Sequence, residues 1–166
     1  YTALMKDAEL FSDFIFIQNY VSLISFTNVY QSMPVELPAA KLEEIKLKNW
    51  DKEYPEFLIY QNLLDLLINK NDASLYKRYK ENLLQHLDLW NHEEKSLFLI
   101  SLLNFTTGQI NSGKLDYVDE QYHLFELFEE RQLFEIPKFI NSNRINNVVS
   151  IYLRKKQYDK ATNFAQ

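Results

Sequence analysis

Apolar residues recur along the chain at intervals of three and four, and short polar or proline-bearing breaks divide them into helical segments. The pattern predicts a first helical region over 3–31, with a break expected near Ser12 or Ser25. Ser32–Pro38 reads as a connector, because Pro34 and Pro38 each remove a helical hydrogen bond. A short helix follows over 39–49, with Leu42, Ile45 and Leu47 inward and its charges outward. Pro55 suits the first turn of a helix that runs to Asn69. Asp72 is placed to cap a helix reaching Trp90. Asn91-His92-Glu93-Glu94 has the form of a capping box and opens a long apolar helix to Ile110. Asn111-Ser112-Gly113 supplies a stop, with Gly113 free to turn left-handed. Another helix covers 115–134, after which Pro137 and Asn141-Ser142-Asn143 interrupt. Ser142 is placed to cap a helix reaching Gln157, and a last helix begins near Asp159.

Composition removes the alternatives to an all-α fold. Leucine outnumbers valine 25 to 6, a balance that favours helices over sheets. Only 2 glycines and 4 prolines are present in 166 residues, too few for the tight turns of a sandwich or barrel. A glycine-rich phosphate loop cannot be drawn. The lack of cysteine excludes disulfides, thiolate metal sites and cysteine nucleophiles. With 46% hydrophobic and 25% charged residues, the chain has the make-up of an ordered domain rather than a disordered one. Its most apolar early stretch, Phe11–Phe26, carries Asp13, Gln18 and Asn19, so membrane insertion is not expected. No secretory signal is visible, and a cysteine-free chain suits the cytoplasm but also a bacterial periplasm. The compartment therefore stays open, with a cytoplasmic one slightly favoured.

The break points recur. Lys70, Asp72, Leu75 and Tyr79 align with Gly113, Leu115, Val118 and Tyr122 at an offset of 43, and again with Lys156, Tyr158, Ala161 and Ala165. Gly113-x-Leu115-x-x-Val118-x-x-x-Tyr122, and Ile145, Val148, Val149 and Tyr152 followed by Tyr158-x-x-Ala161, resemble tetratricopeptide-type helical hairpins. The stride of 43 differs from that family's ~34 residues and is nearer to other helical solenoids at ~40–47. Lysine replaces the usual turn glycine at 70 and 156, and the characteristic tryptophan has no counterpart. The resemblance implies stacked antiparallel helical hairpins, an α-solenoid with a right-handed superhelix, over 55–166 as two to three hairpin repeats. Residues 1–54 read as an irregular helical N-terminal part of the same single domain, 1–166. The start at Tyr1 and the stop at Gln166 inside a third unit lead us to expect a longer parent chain.

Few residues carry candidate chemistry. Over Asp116–Glu135 there are 7 acids and 1 arginine, with Asp116, Asp119, Glu120, Glu126, Glu129, Glu130 and His123 on the polar side of the helix. Glu120 and His123 have the spacing of a di-iron ligand pair, but a second such motif is missing. His86 and His92 are six residues apart across a break, which is not a zinc-ligand spacing. Residues 136–166 hold 6 basic side chains and 1 acid, and are expected to neutralise the acidic helix rather than to bind nucleic acid. Asn104-Phe105-Thr106 is a glycosylation triplet inside an apolar helical stretch. Aromatic residues make up 15% of the chain, and several tyrosines could line a concave groove or fill the core between hairpins.

The expectation is a non-enzymatic scaffold that binds a protein or peptide partner without cofactor, metal or nucleic acid. Tyr79, Tyr122 and Tyr152 are the expected contact residues, with Glu120, Glu126 and Glu130 as an acidic recognition edge. The rival readings are a helical accessory domain of a larger enzyme and a domain that only packs against its own chain.

Overall fold

The computed structural model describes residues 2–30, 36, 38–135 and 142–165. Among these there are eight α-helices, three short 3-10 turns and no strand. The expected connector around Pro34, the interruption at Pro137 and the cap by Ser142 lie outside the described residues and side chains. The described part divides into two compact units, Tyr1–Leu87 and Asp88–Gln166. No helix among the described residues is long and apolar enough to cross a membrane.

The first unit is built from α1 (Thr2–Tyr30), α2 (Ala39–Leu47), a 3-10 turn at Trp50–Lys52, α3 (Pro55–Ile68) and α4 (Ala73–Gln85). α1 runs unbroken through Ser12 and Ser25. α3 packs against α1 on one side and α4 on the other, so it buries residues all round: Phe57, Tyr60 and Leu64 as well as Ile59, Leu63 and Leu66. Phe14 of α1 meets Tyr60 edge-on at 5.4 Å, a favoured aromatic geometry. The start signals behave as expected. Pro55 is the first residue of α3, and the Asp72 carboxylate accepts from the Ser74 and Leu75 amides at 2.8 and 3.2 Å. α2 is different. Only Ile45 is buried in it, and Leu47, expected inward, is 80% exposed.

The second unit holds two hairpins, α5 (His92–Asn111) with α6 (Tyr117–Glu130) and α7 (Ser142–Arg154) with α8 (Tyr158–Ala165); a 3-10 turn at Leu133–Glu135 follows α6. The capping box forms: Asn91 Oδ1 accepts from the Glu94 amide at 3.0 Å, and Glu94 accepts from the Asn91 amide at 3.3 Å. Phe125, Val148, Ile151, Tyr152 and Ala161 form one core cluster between the hairpins. The small Ala161 is where α8 approaches α7.

Both hairpins close with the same turn. The Gly113 amide bonds the Ile110 carbonyl at 2.9 Å and the Lys114 amide bonds that of Gln109 at 3.0 Å. Forty-three residues later, the Lys156 amide bonds Leu153 at 3.0 Å and the Gln157 amide bonds Tyr152 at 2.8 Å. This is the Schellman pair of bonds, and it needs a left-handed residue: φ is +91° at Gly113 and +58° at Lys156. The turn at Lys70 makes different bonds, with Asn69 donating to Asp65 and Asp72 donating to Asn69. An ideal Cβ at Gly113 would meet nothing within 4 Å, so only the backbone resists a side chain there. Lys156→Gly is therefore expected to stabilise the chain by about 0.5 kcal/mol and Gly113→Ala to cost about 1 kcal/mol, checked by denaturant unfolding of both variants.

Candidate functional site

The residues expected at a partner surface have mixed fates. Tyr79 on α4 is 0% exposed and Tyr152 on α7 is 1% exposed, so both are core residues and offer no surface. Burial pushes the Tyr79 hydroxyl well above the ordinary tyrosine range. The Tyr152 hydroxyl donates to Glu129 Oε2 at 3.5 Å, and burial with that neighbouring carboxylate also pushes it far up. Tyr122 is half-buried, edge-on to Tyr152 at 6.1 Å, and its hydroxyl bonds Glu126. The ring of a tyrosine fills apolar space while its hydroxyl reaches a polar rim, which explains why Tyr122 and Tyr152 pack inward beside Glu126 and Glu129.

Three carboxylates of α6, Asp119, Glu126 and Glu129, are paired inside the unit. Lys160 Nζ lies 3.0 Å from Glu129 and 3.7 Å from Glu126, and Lys155 Nζ lies 2.9 Å from Asp119. Lys155 also sits over the Tyr122 ring and Lys160 over that of Tyr152, at 5.5 and 5.7 Å. Two lysines of the basic tail thus answer three carboxylates of the acidic helix, part of the compensation that their charges led us to expect. Hydrogen bonds from Tyr122 to Glu126 and from Lys155 to Asp119 hold both carboxyls below their ordinary range. Glu126, Glu130 and Glu120 follow one another in that order across an arc of about 120° on one side of the helix. Glu120 is half-buried and Glu130 exposed.

His123 is 70% exposed and faces Glu126 at 3.5 Å. Among the described residues, no group of three or more histidine, aspartate or glutamate side chains converges as a metal site would require. Thr106 is 0% exposed and donates to the Leu103 carbonyl at 3.0 Å, so the Asn104 triplet is locked in α5 and is no acceptor while folded.

What remains is a cleft in the second unit that no single residue announced. α5 lines it with Ile100, Leu103, Asn104 and Thr107, and α7 with Asn147 and Val148; Phe125, Phe128, Phe134 and Phe164 also line it. Gln121 of α6 donates to the Thr107 hydroxyl at 2.6 Å and fixes it. The lining carries no charged side chain. The cavity measures about 50 Å³, room for a few waters, whereas small-molecule pockets run to roughly 300–1,000 Å³. Its chemistry suits one entering side chain with hydrogen bonds at the rim. The two exposed asparagines, Asn104 and Asn147, are 43 residues apart, and Gln61 lies the same distance before Asn104. Following amide side chains at that stride would have found the cleft from the sequence.

A second constellation, also unforeseen, sits in the first unit. Asp13 of α1 is 1% exposed and accepts from Lys48 Nζ at 2.8 Å and Trp50 Nε1 at 3.0 Å, with Lys41 Nζ at 3.1 Å. Burial pushes the Asp13 carboxyl up, but the bonds from Lys48, Trp50 and Lys41 outweigh it and hold the group below the ordinary aspartate range. A depressed carboxyl stabilises the fold above its unfolded value of about 4, and that contribution is lost as pH falls through the folded value. Asp13→Asn should cost about 2 kcal/mol at neutral pH, less than a fully buried pair because both lysines keep some solvent contact. It should also flatten the stability profile below pH ~4, read by thermal unfolding across pH. Neither a known family profile nor a characterised protein nor a solved structure matches this chain.

Proposed function

We propose that the chain is a non-enzymatic helical-repeat scaffold that binds a protein or peptide, taking an extended, uncharged segment into the α5–α7 cleft without cofactor or nucleic acid. The observation that carries this is the pair of asparagines, Asn104 and Asn147, at one sequence stride and lining one uncharged cleft. An asparagine amide presents one acceptor and two donors, the complement of a main-chain peptide group. An extended segment offers those groups along its length, so two amides can grip it whatever its side chains are. The phenylalanine-rich lining takes one apolar side chain as an anchor, and a charged one would enter with no counterion.

The repeat reading belongs to the same proposal. Identical closing bonds at Gly113 and Lys156 support hairpins stacked at a 43-residue stride, the α-solenoid arrangement that the tetratricopeptide-like residues suggested. A first helix in each hairpin then presents equivalent positions to one groove.

Display of random peptides on the full chain, followed by nitrogen-labelled NMR titration of the selected peptides, tests the proposal. We expect enriched segments to be uncharged around one apolar residue small enough for the cavity and to shift the Asn104 and Asn147 side-chain amides. Asn104→Ala or Asn147→Ala should each weaken binding about 5- to 10-fold, while Glu130→Ala leaves it unchanged. Binding that is insensitive to both asparagine substitutions, or selection of acidic or basic segments, would overturn it.

A further inference from the structure

In the first unit, the residues matching the cleft wall are already covered. Gln61 and Leu64 of α3 stand 43 residues before Asn104 and Thr107, and they line a cavity of about 130 Å³ together with Ile17, Leu42, Ile45 and Ile68. Leu42 and Ile45 belong to α2, which therefore lies over this face of α3. Its attachment is unusual for a helix. α2 takes part in no closely packed helix pair, and Ile45 is its one buried residue. A void remains beneath it where a core helix would be in contact.

Ion pairs do the fastening. Lys41 and Lys48 reach Asp13 at 3.1 and 2.8 Å, Lys48 also reaches Glu9 at 2.7 Å, and Lys46 reaches Asp65 at 3.8 Å. Glu43 and Glu44 of α2 brace these lysines, at 3.6 Å from Lys46 and 2.9 and 3.2 Å from Lys41 and Lys48. Asp65 is shared with Arg78 of α4 at 2.7 Å, and Trp50 completes the Asp13 shell.

We infer that α2 is a self-covering strap: it occupies the first unit's counterpart of the peptide cleft, is pinned there by lysine–carboxylate pairs rather than apolar packing, and lifts off as a unit without unfolding α1, α3 or α4. This assignment of what the strap covers rests on the cleft reading proposed above. Lifting α2 bares Gln61, Leu64 and Ile68 and opens a second groove like the first. Part-exposed ion pairs weaken with salt whereas apolar packing strengthens, so the two kinds of attachment answer oppositely to ionic strength.

Hydrogen exchange on the full chain, read by mass spectrometry on fragments covering 39–50 and 55–68, tests the strap in the absence of any ligand. Raising NaCl from about 0.05 M to about 1 M should speed exchange in α2 roughly tenfold while α3 amides stay unchanged. Asp13→Asn at low salt should give the same selective opening. Lys41→Ala, which leaves Asp13 with Lys48 and Trp50, should give a smaller one and serves if the first variant fails to fold. Exchange in α2 that follows α3 under every condition, or that salt and Lys41→Ala leave unmoved, would overturn the inference. Peptide titration of the second unit's cleft reports on the binding proposal separately, so failure of one is distinguishable from failure of the other.

Discussion

The left-handed residue at the end of α5 and of α7 is the constraint on which the second unit depends. A helix leaves its last carbonyls without partners, and the Schellman bonds at Gly113 and Lys156 satisfy them while reversing the chain within a few residues. That reversal lays α6 back along α5 and α8 back along α7, and the phenylalanines and Ala161 then meet in one core. Because both closures use the same bonds, positions counted back from them are equivalent. Asn104 precedes the Gly113 turn by the same number of residues as Asn147 precedes that of Lys156, and both end beside one cleft. A lysine at φ +58° shows that closure, rather than glycine itself, is what the hairpin requires.

Features written within one turn of helix were legible in the chain. The Asn91–Glu94 box, the Asp72 cap, Pro55 at a helix start and the left-handed Gly113 are local, and each formed as expected. Helix ends were overrun where a 3-10 turn follows, as at Leu87–Leu89 and Leu133–Glu135, because the apolar spacing continues beyond the helical bonds. Partners distant in sequence were not legible. Asp13 looked like a polar flaw in an apolar stretch; its meaning comes from Lys41, Lys48 and Trp50, 28 to 37 residues away. The tyrosines misled for a related reason: burial of an amphipathic ring depends on what lies opposite, which spacing along one helix does not reveal. The cleft left one trace in the sequence, the 43-residue stride of Asn104 and Asn147; that both line one cavity emerges only when α5 and α7 are packed.

The molecule uses charge in two ways that should not be confused. In the second unit, Lys155 and Lys160 answer the carboxylates of α6 at the surface, where each pair contributes little and the sum mainly suppresses a repulsive acidic face. In the first unit, Asp13 is enclosed, so its lysines are needed simply to hold a charge in that place. Replacement by apolar residues of similar size would make a firmer contact. Retention of ions at that joint therefore favours specificity of placement, or the ability to let go, over strength.

That contrast bears on what the cleft would recognise under the proposed function. A scaffold selecting basic or acidic partners would place charge in its groove, yet the cleft lining is neutral, and Asp119, Glu126 and Glu129 of α6 are paired with Lys155 and Lys160. Neutral amides cost less to desolvate than ions and can both donate and accept, so they suit a main chain whose polar groups alternate in kind. On the proposed reading, specificity would fall to the single apolar anchor, whose size is limited by a cavity of about 50 Å³ and the phenylalanines around it. Recognition of the proposed sort would be tolerant of sequence and strict about conformation: a helical segment would satisfy its own backbone and leave the two asparagines with nothing to bind.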